Sequence, residues 1–164
     1  MHKNNHLIFI TILGTFGQVF TNMTKVSFFD NDFVPGSGVT YSIIAARYNG
    51  MWIFVRHRGR TTWEIAGGHV EPGEEPQEAA GRELAEETGA IDFSMICVAT
   101  YSVDKEGNTG YGRLFFADVS QIGPITDTSE IEEIMLSGDL PSDLTYPGIQ
   151  SRLFRRVLEY LSEG

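Results

Sequence analysis

The chain is poor in cysteine, in positive charge and in long apolar runs. A single cysteine, Cys97, cannot close an internal disulfide, and it excludes zinc sites built from several thiolates. Cys97 stands in the apolar run of residues 95–98, where a small buried hydrophobe is expected, and one thiol suits a reducing, cytoplasmic compartment. Lys and Arg number 12 against 22 Asp and Glu, a formal net charge of -10 at pH 7. Such a balance disfavours nucleic acid and anionic membrane, so stable DNA binding is not expected. A polyanionic ligand would need a metal ion or a few well-placed arginines. Near the N-terminus, residues 6–20 (HLIFITILGTFGQVF) are strongly apolar, but the run is too short for a comfortable membrane span. No small-x-small cleavage site follows it. Residues 1–22 therefore read as an extension outside a core domain of residues 23–164, with a signal peptide or membrane anchor as the alternative. Repeats, low-complexity tracts and heptads are also missing, and 164 residues suit one compact domain of mixed α and β structure. The oligomeric state is left open.

What is present begins with strands. Residues 26–29 are a short strand candidate, and residues 30–38 (DNDFVPGSG) a loop by their Asp, Asn, Pro and Gly content. Residues 39–48 and 51–57 are rich in β-branched and aromatic side chains. Between them Asn49-Gly50 tolerates the positive φ angles of a two-residue turn, so a β-hairpin is expected. Residues 58–62 (RGRTT) read as a loop and 63–66 (WEIA) as a strand. Residues 94–103 and 111–119 read as two more strands joined by the polar segment 104–110. Residues 129–137 (SEIEEIMLS) fit either a strand or a helical turn. Ile149, Leu153, Phe154, Val157, Leu158 and Leu161 recur at helical spacing after Pro147-Gly148, predicting an amphipathic C-terminal helix.

One stretch demands chemistry. Residues 67–90, GGHVEPGEEPQEAAGRELAEETGA, hold seven glutamates. Pro76 suits a first helical position and Gly89 a left-handed terminus, so a helix is expected between them after a glycine-rich loop. Leu84 should face the core, with Ala80 and Thr88 along the same stripe. Glu78 precedes Arg82 by four residues, the favourable order for a helix ion pair. Glu83, Glu86 and Glu87 then share one helix face. At about 5 Å and an effective dielectric of about 20, each close pair repels by roughly 3 kcal/mol before solvation reduces it. A solvated acidic face gains nothing from this arrangement. Hard divalent cations reverse the sign, because Mg²⁺ and Mn²⁺ prefer oxygen ligands and can in turn hold phosphate oxygens and acidify water. Gly67-Gly68 lets the backbone approach such a ligand closely.

These residues resemble the Nudix box, G-x5-E-x7-R-E-U-x-E-E-x-G-U with U a bulky aliphatic. The matches are Gly68, Glu74, Arg82, Glu83, Leu84, Glu86, Glu87 and Gly89, with Ala90 smaller than usual and Ala66 where many members carry proline. The resemblance implies the Nudix fold, an α+β architecture with a mixed β-sheet sandwiched between α-helices. It implies hydrolysis of a nucleoside diphosphate linked to another group, with Mg²⁺ or Mn²⁺. By the same resemblance, Glu83, Glu86 and Glu87 are the catalytic and metal-binding residues, with Gly68 (or Gly67) offering a carbonyl. Arg82, Glu74 and Gly89 are implied to be structural. An acid from a later loop could help deprotonate the attacking water. Glu130 and Glu133 are candidates, with Glu132, Asp104 and Glu106 behind them, against the plainer reading of all five as solvated charge.

The substrate is hinted at by RHRGR, residues 56–60, the only dense basic cluster in the chain. Arg56, Arg58 and Arg60 are phosphate-binding candidates, because guanidinium grips phosphate bidentately; a charged, solvated loop is the alternative. Arg47 and Arg113 are weaker candidates. Phe29, Tyr41, Trp52 and Trp63 could stack on a base, although strand aromatics are more often core. The stretch around the box resembles the small Nudix members that cleave oxidised or general nucleoside triphosphates. A small nucleotide is thus the expected partner, cleaved to nucleoside monophosphate and pyrophosphate, 8-oxo-dGTP being the leading example. ADP-sugars, dinucleotides and RNA 5′-ends stay open, as does a catalytically silent nucleotide-sensing module.

Overall fold

A computed structural model describes residues 24–125 and 130–164. The expectations for residues 1–22, for the domain start at Met23 and for Ser129 lie outside the described residues. The elements run β1 (Lys25–Phe29), β2 (Tyr41–Tyr48), β3 (Met51–His57), β4 (Ala66–His69), α1 (Pro76–Thr88), β5 (Ala90–Lys105), β6 (Asn108–Ile122), β7 (Ile131–Ser137) and α2 (Pro147–Glu163). The α+β class and the mixed sheet between helices are as expected.

The strands order as β1-β5-β6-β2-β3-β7, with β4 also paired to β2. Only β2 and β6 run parallel among the described strands; every other pairing is antiparallel. Strand β6 lines one edge of β2 from Tyr41 to Tyr48. The opposite edge is divided: β4 takes Tyr41 to Ile44, and β3 takes Ala46 to Tyr48. The chain therefore splays apart between β3 and β4, next to the N-terminal half of β2.

Both faces of the central strands are covered, which is why their apolar runs are nearly continuous. On one face Ala45, Trp52, Phe54, Leu114 and Phe116 pack with Leu153, Phe154 and Val157 of α2. On the other, Ile44, Ile53, Phe115 and Ala117 pack with Ala80 and Leu84 of α1. The period-two alternation of a strand sends successive residues of β2, β3 and β6 to opposite cores. Leu84, Ala80 and Thr88 are fully buried, as the helical stripe required. Leu158 is 41% exposed, so the apolar stripe of α2 is narrower than its spacing suggested.

Turn chemistry explains several boundaries. Asn49 and Gly50 both adopt positive φ, 51° and 77°, and close the β2–β3 hairpin as expected. Glu106 and Gly107 do the same at 53° and 81°, so the connection between β5 and β6 contracts from the expected seven-residue segment to a two-residue turn. Gly89 is left-handed at φ 73° and ends α1. Residues 131–137 resolve as strand β7. The strand expected at 63–66 lies later: Trp63 and Glu64 make isolated bridges, and Ala66–His69 is the true strand. Gly67-Gly68 is thus part of a strand rather than a loop, because pairing with β2 outweighs the weak strand preference of glycine. Cys97 is partly buried rather than enclosed.

Candidate active site

The site is built where β4 passes under α1. Gly67 has a φ of 152°, and a Cβ there would strike the Ser42 carbonyl. At Gly68 a Cβ would instead run into the Glu83 carboxylate. Two adjacent glycines are thus needed for separate reasons: the first lets β4 pair closely with β2, and the second leaves room for an acid lying on the strand.

Helix α1 begins at Pro76 with a reciprocal capping box between Glu75 and Glu78. This engages Glu78 with the Glu75 N–H at 2.9 Å, and the expected Glu78–Arg82 pair does not form. Arg82 turns to Glu74 instead, donating from Nε and Nη2 to its two oxygens at 2.8 and 3.0 Å. The same guanidinium donates from Nη1 to Glu83 at 2.9 Å and Glu86 at 3.3 Å, and from Nη2 to the His69 carbonyl at 3.1 Å. Bidentate geometry makes the Glu74 pair the strongest of these contacts. Hydrogen bonds from Arg82 and from the Glu71 N–H hold the Glu74 carboxyl down at about 2, and Arg82 is raised in turn, chiefly by Glu74. Arg82 therefore ties loop, strand and helix together through these hydrogen bonds.

Glu87 is the most enclosed acid of the three, 4% exposed. Its Oε2 accepts the Gly67 N–H at 2.9 Å. His57 Nε2 stands 3.4 Å from its Oε1 and 3.8 Å from Glu64 Oε2. Burial pushes the Glu87 carboxyl up to about 8; the Gly67 N–H opposes this, and the charges of Glu83, Glu64 and Glu130 add to it. Burial also raises Glu83, against the pull of Arg82. Glu86 is the outermost of the three, its side chain 42% exposed. Among the described residues no three His, Cys, Asp or Glu side chains are already gathered into a cation-sized cluster. Glu83 and Glu86 lean on Arg82, and Glu87 on Gly67 and His57.

The other sequence candidates separate clearly. Glu130 acts electrostatically on both Glu83 and Glu87, and its carbonyl accepts the Arg58 N–H at 2.8 Å. Glu132 and Glu133 pair with Arg56 at 3.0 and 2.5 Å, beside a bulge in the β3–β7 ladder. Arg60 pairs with Glu64. Arg56 and Arg60 thus meet carboxylates of this chain. Asp104 and Glu106 lie at the β5–β6 turn, beyond the end of β2. Arg47 pairs with Asp118 and lies over Trp52 and Phe116, while Arg113 donates to the Asn31 and Phe33 carbonyls. Trp52 is core, and Tyr41 is exposed and packed on His69. Sequence reasoning missed Glu64 and His57. Glu64 is nearly buried, and only the bridge between Val55 and Glu64 brings it beside His57.

The strand-loop-helix unit thus crowds carboxylates over two glycines and braces them with one arginine. A NUDIX domain model matches residues 37–155, and the chain belongs to the Nudix hydrolase family. The Bacillus subtilis (strain 168) protein YtkD, named as a candidate 8-oxo-dGTP diphosphatase, is 32% identical over 130 residues, spanning 79% of this chain and 80% of YtkD. The crystal structure of the Bacillus subtilis pyrophosphohydrolase BsRppH superposes with a TM-score of 0.72 at 28% identity, covering 88% of this chain and 92% of that one. The MutT NUDIX hydrolase from Burkholderia pseudomallei shares the fold with a TM-score of 0.59 at 18% identity, over 71% of this chain and 95% of that one. Members of the family are enzymes that cleave phosphoric anhydride bonds, generally with divalent metal ions, in small nucleotide substrates. No helix among the described residues is long and apolar enough to cross a membrane.

Proposed function

We propose that this enzyme hydrolyses a nucleoside triphosphate, 8-oxo-dGTP or a general (d)NTP, to nucleoside monophosphate and pyrophosphate, with Mg²⁺ or Mn²⁺ as cofactor. The observation that carries the reading is the placement of Glu87 and Glu83 on Gly67 and Gly68. A carboxylate this buried is costly when charged and unpaired, and all three acids offer the hard oxygen donors that Mg²⁺ and Mn²⁺ prefer. Glu83, Glu86 and Glu87 would hold the cation, with the Gly68 carbonyl a further donor. When bound, it would supply positive charge to the phosphate oxygens and lower the pKa of the attacking water.

The chain's own residues do the rest. Arg82, locked to Glu74, fixes the helix face on which the acids stand. Glu130 is the favoured extra acid for moving a proton, because its charge reaches Glu83 and Glu87. Glu133, paired with Arg56, is the second candidate. Arg56, Arg58 and Arg60 are the phosphate-binding candidates of the basic segment, and Arg56 and Arg60 would have to share their guanidinium groups with carboxylates of this chain. YtkD, similar over most of both chains, supports the 8-oxo-dGTP assignment. Residues 23–164 act as the catalytic domain, and the reducing cytoplasm suits the lone thiol.

The test is a substrate panel with Mg²⁺ or Mn²⁺: nucleoside triphosphates including 8-oxo-dGTP, ADP-ribose, diadenosine polyphosphates and 5′-triphosphate RNA, products separated by chromatography. Fastest cleavage of a nucleoside triphosphate to monophosphate and pyrophosphate, abolished by EDTA, is the expected result. A different preferred substrate would replace the assignment, and nucleotide binding without cleavage would favour the sensing module.

A further inference from the structure

The basic segment at the end of β3 reads in sequence as a phosphate grip, yet its histidine points inward. His57 is the last residue of β3, and its partner across the ladder is Ile131, after a bulge that separates it from the Arg56–Glu133 pair. The extra residue of the bulge is Glu132 of β7, so consecutive Arg56 and His57 pair with Glu133 and Ile131. There His57 Nε2 faces two carboxylates, Glu87 Oε1 at 3.4 Å and Glu64 Oε2 at 3.8 Å. Its side chain is 23% exposed, those of Glu64 and Glu87 12% and 5%. Glu64 is anchored from behind by Arg60 and by its backbone pairing with Val55. The other groups acting on Glu87 divide into one backbone donor, Gly67, and three acids, Glu83, Glu64 and Glu130. His57 thus sets a ring nitrogen beside Glu87 Oε1, where the charges of Glu83, Glu64 and Glu130 all act against the charged carboxylate.

We propose that His57 is a positioning residue for Glu87, holding Oε1 while the Gly67 N–H holds Oε2, so that the carboxylate is fixed in one orientation toward α1's other acids. The inference rests on the reading that Glu87 is a metal ligand. Donors behind a ligating carboxylate fix its orientation, and their loss typically weakens metal binding by about 10–100-fold. Glu64 and Arg60 complete the arrangement: Glu64, paired with Arg60, stands near the same imidazole nitrogen at 3.8 Å, so part of the basic segment serves the acids rather than the phosphates.

The experiment is a Mn²⁺ titration of the full chain, following free Mn²⁺ by electron paramagnetic resonance, for wild type, Glu87→Gln, His57→Ala, His57→Asn and His57→Gln. Thermal melting and nucleotide kinetics run alongside. Expected are loss of the tight site in Glu87→Gln, about tenfold weaker Mn²⁺ binding in His57→Ala, and recovery of most of the affinity in His57→Gln, whose longer amide can reach Oε1. In His57→Ala kcat should fall while KM for the nucleotide holds. Should the alanine variant fail to fold, His57→Asn carries the same expectation, its amide being too short to reach. Wild-type Mn²⁺ affinity in the folded Ala or Asn variant, with Glu87→Gln still deficient, would overturn the role of His57 and leave the metal reading standing. Equal losses in His57→Gln and His57→Ala would also overturn it, because a donor would then not be what matters. Unchanged Mn²⁺ binding in Glu87→Gln would remove the metal reading and this inference with it.

Discussion

The two helices cover opposite faces of one sheet and are built on different terms. Helix α2 buries Leu153, Phe154 and Val157 against Trp52, Phe54 and Phe116, with Trp52 and Phe154 edge to face at 4.8 Å. Helix α1 meets the sheet through Ala79, Ala80 and Leu84 and encloses a carboxylate, Glu87, alongside them. Apolar burial stabilises a fold and a buried acid opposes it. The comparison teaches that α2 supplies stability and α1 draws on it to hold acids where they repel one another. Small alanines suit that purpose, since they bring the helix close enough to β4 for Glu83 and Glu87 to touch glycine backbone.

The contrast can be broken most heavily at α2. Phe154→Ala should destabilise by about 3–5 kcal/mol, measured by urea unfolding, while kcat of the remaining folded enzyme at low temperature stays near wild type. The glycines beneath α1 should split in the opposite way. Gly67→Ala places a Cβ against the Ser42 backbone at a positive φ and should cost about 1–3 kcal/mol of stability. Gly68→Ala meets only the end of the flexible Glu83 side chain, so stability should change by less than about 1 kcal/mol while kcat falls about tenfold as Glu83 is displaced. Equal effects of the two substitutions would show that the neighbouring glycines do not have separate tasks.

A smaller effect sharpens the comparison through pH. Glu87 is held near 8 when folded against a usual 4.5, so the folded protein keeps its proton more tightly than the unfolded chain. In EDTA this group should therefore cost stability as pH rises from about 4.5 to about 8, and the loss should be absent in Glu87→Gln. Glu74 works with the opposite sign. Held near 2, it contributes stability that is present above about 4.5 and lost as pH falls toward 2. Urea midpoints across this range, for wild type and Glu87→Gln, would separate the two slopes.

Much of this was legible in sequence because it is local. The β2–β3 turn follows from Asn49-Gly50, and the bounds of α1 from Pro76 and Gly89, each through backbone preferences that act within a few residues. The crowding of Glu83, Glu86 and Glu87 follows from helical spacing alone. What sequence could not supply depended on pairing across the sheet. Gly67-Gly68 becomes a strand only because β2 offers an edge there. His57 and Glu64 meet Glu87 only through the Val55–Glu64 bridge and the docking of α1. The Glu78–Arg82 pair failed for a related reason: a capping box took the glutamate, and the loop acid Glu74 offered Arg82 a bidentate partner.

The measurement that bears most directly on the central claim is pyrophosphate release from a nucleoside triphosphate with Mg²⁺, comparing wild type with Glu87→Gln at matched circular dichroism. The account predicts a loss of at least about a hundredfold in kcat with the fold retained, and no more activity in the variant than in wild type treated with EDTA. A folded Glu87→Gln enzyme that releases pyrophosphate at the wild-type rate would contradict it.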